Sequence, residues 1–160
     1  MSSDRGSTTK EIRVQPIENG TVIDHITAGQ ALNVLKILGI PGTFKGIISV
    51  LIYAPSIDGT KDVVKIEGRE LNVKEVDKIS LISPNATINI IRDLEVLHKN
   101  QVHIPKKIEG VVRCINPNCI SNSNEPITSK FTVSSDNLRI TLRCAYCERI
   151  ISEDIAEHLL

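Results

Sequence analysis

The sequence is poor in aromatic residues and has no excess of charge of either sign. It has 160 residues, of which 2% are aromatic, and it contains no Trp. So few rings cannot build a platform on which nucleic-acid bases stack. The 19 basic residues are balanced by 19 acidic residues, which leaves no cationic surplus for sequence-independent binding to phosphates. We therefore expect a protein that does not bind nucleic acid.

Long apolar runs are also missing. No segment reaches the roughly 18 uncharged apolar residues of a membrane span, and residues 1–10 lack the apolar stretch of an export signal. We expect this polar segment to be a flexible tail. We expect the protein to be cytoplasmic and to have no contact with a membrane. In that compartment cysteines are rarely paired in structural disulfides.

Aliphatic residues are abundant, and their spacing predicts an α+β domain over residues 11–104. Hydrophobic residues make up 41% of the chain, and β-branched side chains favour sheets. After a short strand at 12–17, the predicted order is strand, helix, strand, strand, helix, strand, strand. This order indicates a ferredoxin-like sandwich, an antiparallel sheet with two helices on one face. The predicted strands are 21–26, 47–54, 61–67, 86–92 and 94–98.

Both helices have a sequence signal at their first turn. Thr27 with Gln30, and Asn72 with Glu75, have the spacing of a capping box, in which each side chain of the pair bonds the backbone of the other. The helical periodicity then predicts which apolar residues are buried. These residues are Ala28, Ala31, Leu32, Leu35 and Leu38 in the first helix, and Val73, Val76, Ile79 and Ile82 in the second.

A second domain is predicted over residues 105–160, and it is too small to be stable through apolar burial alone. All cysteines of the chain lie in it: Cys114 and Cys119 form one close pair, Cys144 and Cys147 the other. Two close pairs of thiolates separated by a loop are typical of a closed, structural zinc site. We therefore predict one zinc ion per chain in a mainly β, zinc-ribbon-like domain.

Two other interpretations of the cysteines are weaker. Two disulfides would require export, for which the sequence has no signal. A redox pair at Cys144 and Cys147 would normally open a helix, which lowers the pKa of the thiol, whereas residues 149–151 look like a strand.

The rest of the chain contains no catalytic motif. It has no glycine-rich phosphate loop, no nucleophile elbow and no metal-binding His-Glu-His pattern. Asp24 and His25 lie at a strand end before a helix, where ligand-binding groups gather, but a solvated turn explains them equally well. Lys61 and Lys65 share one strand face, either as a solvated edge or as a cationic wall for an anionic ligand.

Four segments in this order resemble the regulatory chain of aspartate carbamoyltransferase. They are residues 20–26 (GTVIDHI), 61–67 (KDVVKIE), 114–121 (CINPNCIS) and 144–148 (CAYCE). The resemblance covers residues 11–151, and the first segment makes it far more specific than the cysteines alone. It implies that the first domain binds nucleoside triphosphates of the CTP, ATP and UTP class. It also implies a regulatory homodimer whose zinc domain contacts a separate catalytic chain, the chain that joins carbamoyl phosphate to aspartate in pyrimidine biosynthesis.

The resemblance also implies site residues. Polar groups of the nucleotide site would be Asp24, His25, Lys65 and Lys99, with walls formed by Val14, Ile17, Val22, Asn89 and Val96. The polar loop residues Asn116 and Asn118, with Glu148 after the last cysteine, are the candidates for contact with the catalytic chain. No catalytic residue is expected in this chain. Two other functions stay open, a zinc-ribbon accessory protein that binds nucleic acid and a stand-alone enzyme with thiol or hydrolase activity.

Overall fold

A computed structural model describes residues 17–125 and 127–160 as two antiparallel sheets that follow one another along the chain. The first sheet has five strands, β1 (Gly20–Thr27), β2 (Ile48–Ser56), β3 (Gly59–Glu67), β4 (Thr87–Arg92) and β5 (Glu95–Gln101). Their order in the sheet is β2-β3-β1-β4-β5, so β1 lies in the middle. Two helices connect β1 to β2 and β3 to β4. The helices are α1 (Ala31–Ile37) and α2 (Val73–Ile82). Among the described residues, no helix is long and apolar enough to cross a membrane.

The core of this first domain lies between one face of the sheet and the two helices. On the sheet, Ile23, Val64 and Ile66 are fully buried, and they pack with Val34 of α1 and Ile79 of α2. Both helices therefore cover the same face. This arrangement confirms the α+β sandwich, with β5 added beside the usual strand–helix–strand–strand–helix–strand order.

Helix α2 begins as its sequence predicts. The side chain of Asn72 accepts the backbone N–H of Glu75 at 2.9 Å, and the Glu75 carboxylate accepts the N–H of Asn72 at 3.0 Å, so both halves of the capping box are present. One residue of the predicted buried stripe is wrong. Val73 is 76% exposed because it lies in the first turn, beyond the area that the sheet covers.

Helix α1 begins differently from its prediction. Thr27 is the last residue of β1, and the helix starts only at Ala31 without a side-chain cap. The predicted capping box of Thr27 and Gln30 is therefore wrong. The buried carboxylate of Asp62 on β3 accepts the N–H groups of Gly29 and Ala31 instead. Leu32 lies away from the buried side of the helix, which carries Ala31 and Val34, and it is 65% exposed.

The second domain is built on a four-stranded sheet of β6 (Lys107–Glu109), β7 (Lys130–Asp136), β8 (Arg139–Cys144) and β9 (Ile150–Ile151), in that order. Phe131 and Leu142 are its largest fully buried side chains, and Leu81 of α2 joins the same cluster, so the two domains share a packed contact. This sheet confirms a second, mainly β domain. The domain also has 3-10 turns at Ile120–Asn122 and Ile155–His158. The predicted tail and the predicted strand before Ile17 lie outside the described residues.

Candidate functional site

The cysteines converge at one end of the second sheet. Cys114 and Cys119 flank the loop that follows β6, Cys144 ends β8, and Cys147 lies in the turn before β9. The four sulfur atoms all lie within 4.8 Å of one another. The Sγ atoms of Cys114 and Cys147 are 3.5 Å apart, and those of Cys119 and Cys144 are 3.7 Å apart.

These distances fit one tetrahedral zinc ion. With Zn–S bonds of about 2.3 Å, neighbouring sulfurs of a tetrahedron are about 3.8 Å apart. Three of the four cysteines are buried, and backbone support is close, since the N–H of Asn116 lies 3.5 Å from the Cys114 sulfur. Four thiolates leave no open position for water, so this centre is structural rather than catalytic.

Without a cation, the four thiols would not ionise alike. Burial raises the pKa of Cys114 to about 12. The backbone N–H of Arg149 lowers the pKa of Cys147 to about 7. Four thiolates at neutral pH therefore need a bound cation, which binds them as it releases their protons.

A second cluster of candidate ligand-binding residues lies on the first sheet, on the face opposite the helices. Strand register places Lys65 of β3 beside Val22 of β1, Val22 beside Asn89 of β4, and Asn89 beside Lys99 of β5. Directly paired residues share a face, so two ammonium groups flank a half-buried apolar and amide floor. The amide of Asn89 donates to the carbonyl of Val22 at 3.2 Å, which fixes that floor.

Asp24, His25 and Lys61 lie together at the end of β1. The Lys61 ammonium is 2.8 Å from a carboxylate oxygen of Asp24, and the ring Nδ1 of His25 is 3.2 Å from the Thr87 hydroxyl. Burial raises the pKa of Asp24, but the hydrogen bond from Lys61 and the neighbouring charges outweigh it and lower the pKa below its usual value. Burial lowers the pKa of Lys65, and the charge of Asp24 opposes that shift.

An open cleft of about 630 Å³ adjoins these groups. His25 and Lys61 line it, whereas Lys65 and Lys99 are not among its lining residues. The cleft and the lysine row are thus neighbouring parts of one surface, linked by Asp24. Our sequence reasoning missed three of the polar groups in the lining, Thr60, Thr87 and Gln101. Strand register would have found two of them, because Thr87 pairs with Asp24 and Gln101 pairs with Thr87.

The remaining predicted wall residues are more scattered. Ile17 is buried, and Val96 is 57% exposed on the edge strand β5, paired with Ile91. Val14 lies outside the described residues. The predicted partner contacts lie beside the cysteines, where Asn118 and Glu148 are exposed and Asn116 is half-buried. The side chain of Asn116 accepts the N–H of Asn118 at 3.0 Å, which holds the loop between the first two cysteines in a tight turn.

Comparison with known proteins agrees with this two-part organisation. Residues 12–103 match the family model described as aspartate carbamoyltransferase regulatory chain, allosteric domain. Residues 106–157 match the model described as the metal binding domain of the same chain. Together the two models account for almost the whole chain.

Full-length relatives give the same result. The chain is 74% identical over 160 residues to the aspartate carbamoyltransferase regulatory chain of Methanococcoides burtonii, covering 100% of both chains. It is 63% identical over 152 residues to the protein of that name from Methanosarcina barkeri, covering 94% of this chain and 97% of the relative. The relative from Haloarcula marismortui, with the same name, is 55% identical over 94% of this chain and 96% of its own.

Proposed function

Because the chain belongs to the family of aspartate carbamoyltransferase regulatory chains, we propose that it is the non-catalytic subunit of that enzyme. In this proposal the first domain binds nucleoside triphosphates of the CTP, ATP and UTP class as allosteric effectors. The zinc domain attaches the chain to a separate catalytic chain, which makes carbamoyl aspartate for pyrimidine biosynthesis. The complex works in the cytoplasm, where free thiols can bind zinc.

The observation that carries the proposal is the cationic row on the open face of the first sheet. Lys65 and Lys99 flank Val22 and Asn89, so charge lies at both ends of a floor wide enough for a ribose and a base. His25 and Lys61 add donors in the adjoining cleft. Ammonium groups bind phosphate oxygens as charge-assisted donors, which suits a triphosphate that is bound but not hydrolysed.

Calorimetric titration of CTP and ATP into the full chain tests the nucleotide site. Lys99→Ala removes a charge-assisted contact worth about 1.5–3 kcal/mol, so we expect the affinity to fall at least about tenfold. Lys74→Ala, an exposed lysine on α2 behind the sheet, is the matched control and should bind like the unchanged chain. No binding by the unchanged chain would refute the effector role, and an unchanged affinity in Lys99→Ala would remove Lys99 from the site.

We also place a two-fold homodimer on the first domain, through the edge strand β2. Edge strands carry unpaired backbone groups and are ready to pair with another strand. β2 exposes apolar side chains at Ile52 and Tyr53. The other edge, β5, also exposes Val96 and Leu97, but it carries Lys99 and borders the ligand face. Pairing through β2 therefore leaves both ligand faces open.

The docking half of the proposal depends on the polar groups around the zinc centre. Glu148 is exposed and is held in a left-handed backbone conformation with φ of 65°, directly after the last cysteine. Co-purification with the catalytic chain should weaken in Glu148→Gln and stay unchanged in the control Glu153→Gln, an exposed carboxylate after β9. Equal retention of both variants would exclude Glu148 from the contact.

A further inference from the structure

Asp62 is a fully buried carboxylate that the proposed ligand contacts do not use. It lies on β3 next to Lys61, but its side chain points to the helix side of the sheet. Both carboxylate oxygens accept backbone N–H groups, from Gly29 at 3.0 Å, Ala31 at 2.9 Å and Tyr53 at 3.0 Å. Among the ion pairs of the described residues, none includes Asp62. A buried carboxylate is costly unless such bonds stabilise it, so its partners are strongly specified.

The two strands beside β3 both bulge close to this position, β1 opposite the neighbouring Val63 and β2 opposite Asp62 itself. On β1, Ile23 pairs with Val64 and Ile26 pairs with Asp62, so the pair Asp24 and His25 opposes the single residue between them. On β2, Leu51 pairs with Val63 and Ala54 pairs with Lys61, so Ile52 and Tyr53 oppose Asp62 alone. Bulges re-aim side chains and are frequent beside functional sites.

Each bulge holds a residue in a rare backbone conformation. His25 has φ of 55° and Tyr53 has φ of 57°, in the left-handed region that residues other than glycine seldom adopt. Asp62 accepts the N–H of Tyr53 directly, and thereby supports the bulge on β2. It also accepts from the segment that follows the β1 bulge, through Gly29 and Ala31.

These contacts connect the cleft to the edge of the sheet. Thr27 and Ala28 line the cleft, and the Asp62 carboxylate holds the next residue, Gly29. A Cβ added at Gly29 would lie 3.5 Å from the Tyr53 hydroxyl oxygen, so the Tyr53 side chain lies against the same segment. One carboxylate therefore fixes both the cleft wall and the outermost strand, β2.

We propose that Asp62 is a positioning residue for effector binding. It holds Thr27 and Ala28 in the conformation that accepts the ligand, and it transmits occupancy of the cleft to Tyr53 on the β2 edge. This inference rests on the proposed function, in which the cleft belongs to a nucleoside triphosphate site. Asp62 itself does not touch the ligand.

The positioning role of Asp62 and a simple charge effect predict opposite changes in ligand affinity. Asp62→Asn removes a negative charge close to a polyanion. The loss of Coulomb repulsion alone would therefore tighten binding. Positioning predicts the opposite, because an amide has only one acceptor oxygen and its NH₂ group would face an N–H donor of either Tyr53 or the Gly29 segment. The matched control is Asp58→Asn, which removes an exposed carboxylate from the lining of the same cleft.

The experiment uses the full zinc-loaded chain, carrying Tyr146→Phe and labelled with 3-fluorotyrosine, so that Tyr53 is the only reporter. CTP is titrated by calorimetry and by ¹⁹F NMR. We expect CTP to shift the Tyr53 resonance and Asp62→Asn to weaken CTP binding at least about fivefold. Asp62→Asn should also abolish the shift at saturating CTP, while Asp58→Asn should bind CTP at least as tightly as the parent.

The outcomes distinguish this inference from the proposed function. If the parent chain does not bind CTP, the proposed function fails. If the parent binds CTP but Asp62→Asn binds equally well or more tightly, or the Tyr53 resonance of the parent does not respond, the role of Asp62 is overturned. Should Asp62→Asn fail to fold, the response of the parent and the neutral substitution Gly29→Ala decide. Gly29→Ala disturbs the same link at φ of 91° and should weaken CTP binding without a change in charge.

Discussion

The two domains of this chain are each stabilised in a different way. In the first, fully buried aliphatic side chains such as Ile23, Val64 and Ile79 fill the space between the sheet and both helices. In the second, Cys114, Cys119 and Cys144 are themselves members of the buried cluster. The first core is complete without a ligand, whereas the second contains ionisable sulfurs that pack stably only around a cation. The difference separates a domain whose core is aliphatic throughout from one whose core includes a metal-binding cluster.

The domains nevertheless touch. Leu81 of α2 packs into the core of the second domain, and the Lys78 ammonium on the same helix donates to the carbonyl of Leu160. Helix α2 therefore has one face in each core. Loss of the metal should expose this side of α2 without opening the sheet that carries the lysine row.

The largest effect is expected from removing one zinc ligand. Cys147→Ser should lose zinc and unfold the second domain, because structural zinc in small domains contributes about 10 kcal/mol or more of apparent folding free energy. Hydrogen exchange followed by NMR should show lost amide protection in β7 and β8 with protection retained in β1 and β3. Tyr146→Phe, one residue away, is the control and should keep its zinc.

If Cys147→Ser kept the second sheet folded, zinc would not be needed for its stability, since apolar burial alone would stabilise the second domain. Loss of amide protection in both domains would show instead that the core of the first domain also depends on the metal.

The next effect concerns the edge of the first sheet. Ile52→Lys places a charge on the exposed β2 edge, where lysine discourages strand pairing, and should raise the dimer dissociation constant at least about tenfold. Sedimentation of the full chain measures this change. Leu97→Lys on the opposite edge, β5, is the matched substitution and should leave the dimer intact. Dissociation by Leu97→Lys alone would move the interface to β5.

A smaller effect should distinguish the two helix starts. Asn72→Ala removes a complete capping box and should lower the free energy of unfolding by about 1 kcal/mol. Thr27→Ala should change it by less than about 0.5 kcal/mol, because Asp62 rather than Thr27 accepts the N–H of Ala31, the first residue of α1, and that of Gly29 before it. Denaturant unfolding of both variants compares these values. A larger decrease in the free energy of unfolding for Thr27→Ala would indicate that Thr27 does cap α1.

The smallest effect is a pH dependence confined to acid. The pKa of Asp24 is lowered in the folded chain, so its contribution to stability is present above the unfolded pKa of about 4 and is lost as the pH falls through the lower, folded value. Unfolding between pH 5 and pH 2 should therefore show a shallower loss of stability in Asp24→Asn than in the unchanged chain. Identical slopes would mean that the Lys61 contact contributes nothing.

The sequence predicted those features whose partners lie close together along the chain. The capping box of α2 spans only residues 72–75, and each close cysteine pair is formed within one loop or turn. The start of α1 could not be predicted, because Asp62, which accepts its N–H groups, comes from a strand formed much later in the chain. The lysine row depends on the strand register, which residue patterns do not fix. Strand alternation singled out Lys65 and the resemblance added Lys99, whereas neither indicated Thr87 and Gln101.

The most direct test of this division is the affinity of the zinc-free chain for nucleotide. The full chain is stripped of zinc with a mercurial and a chelator, and CTP is then titrated by calorimetry against the zinc-loaded chain. We predict dissociation constants that agree within about threefold, although the second domain has unfolded, because every residue assigned to the nucleotide site lies in the first domain. Loss of CTP binding on removal of zinc, with binding by the zinc-loaded chain intact, would contradict this prediction.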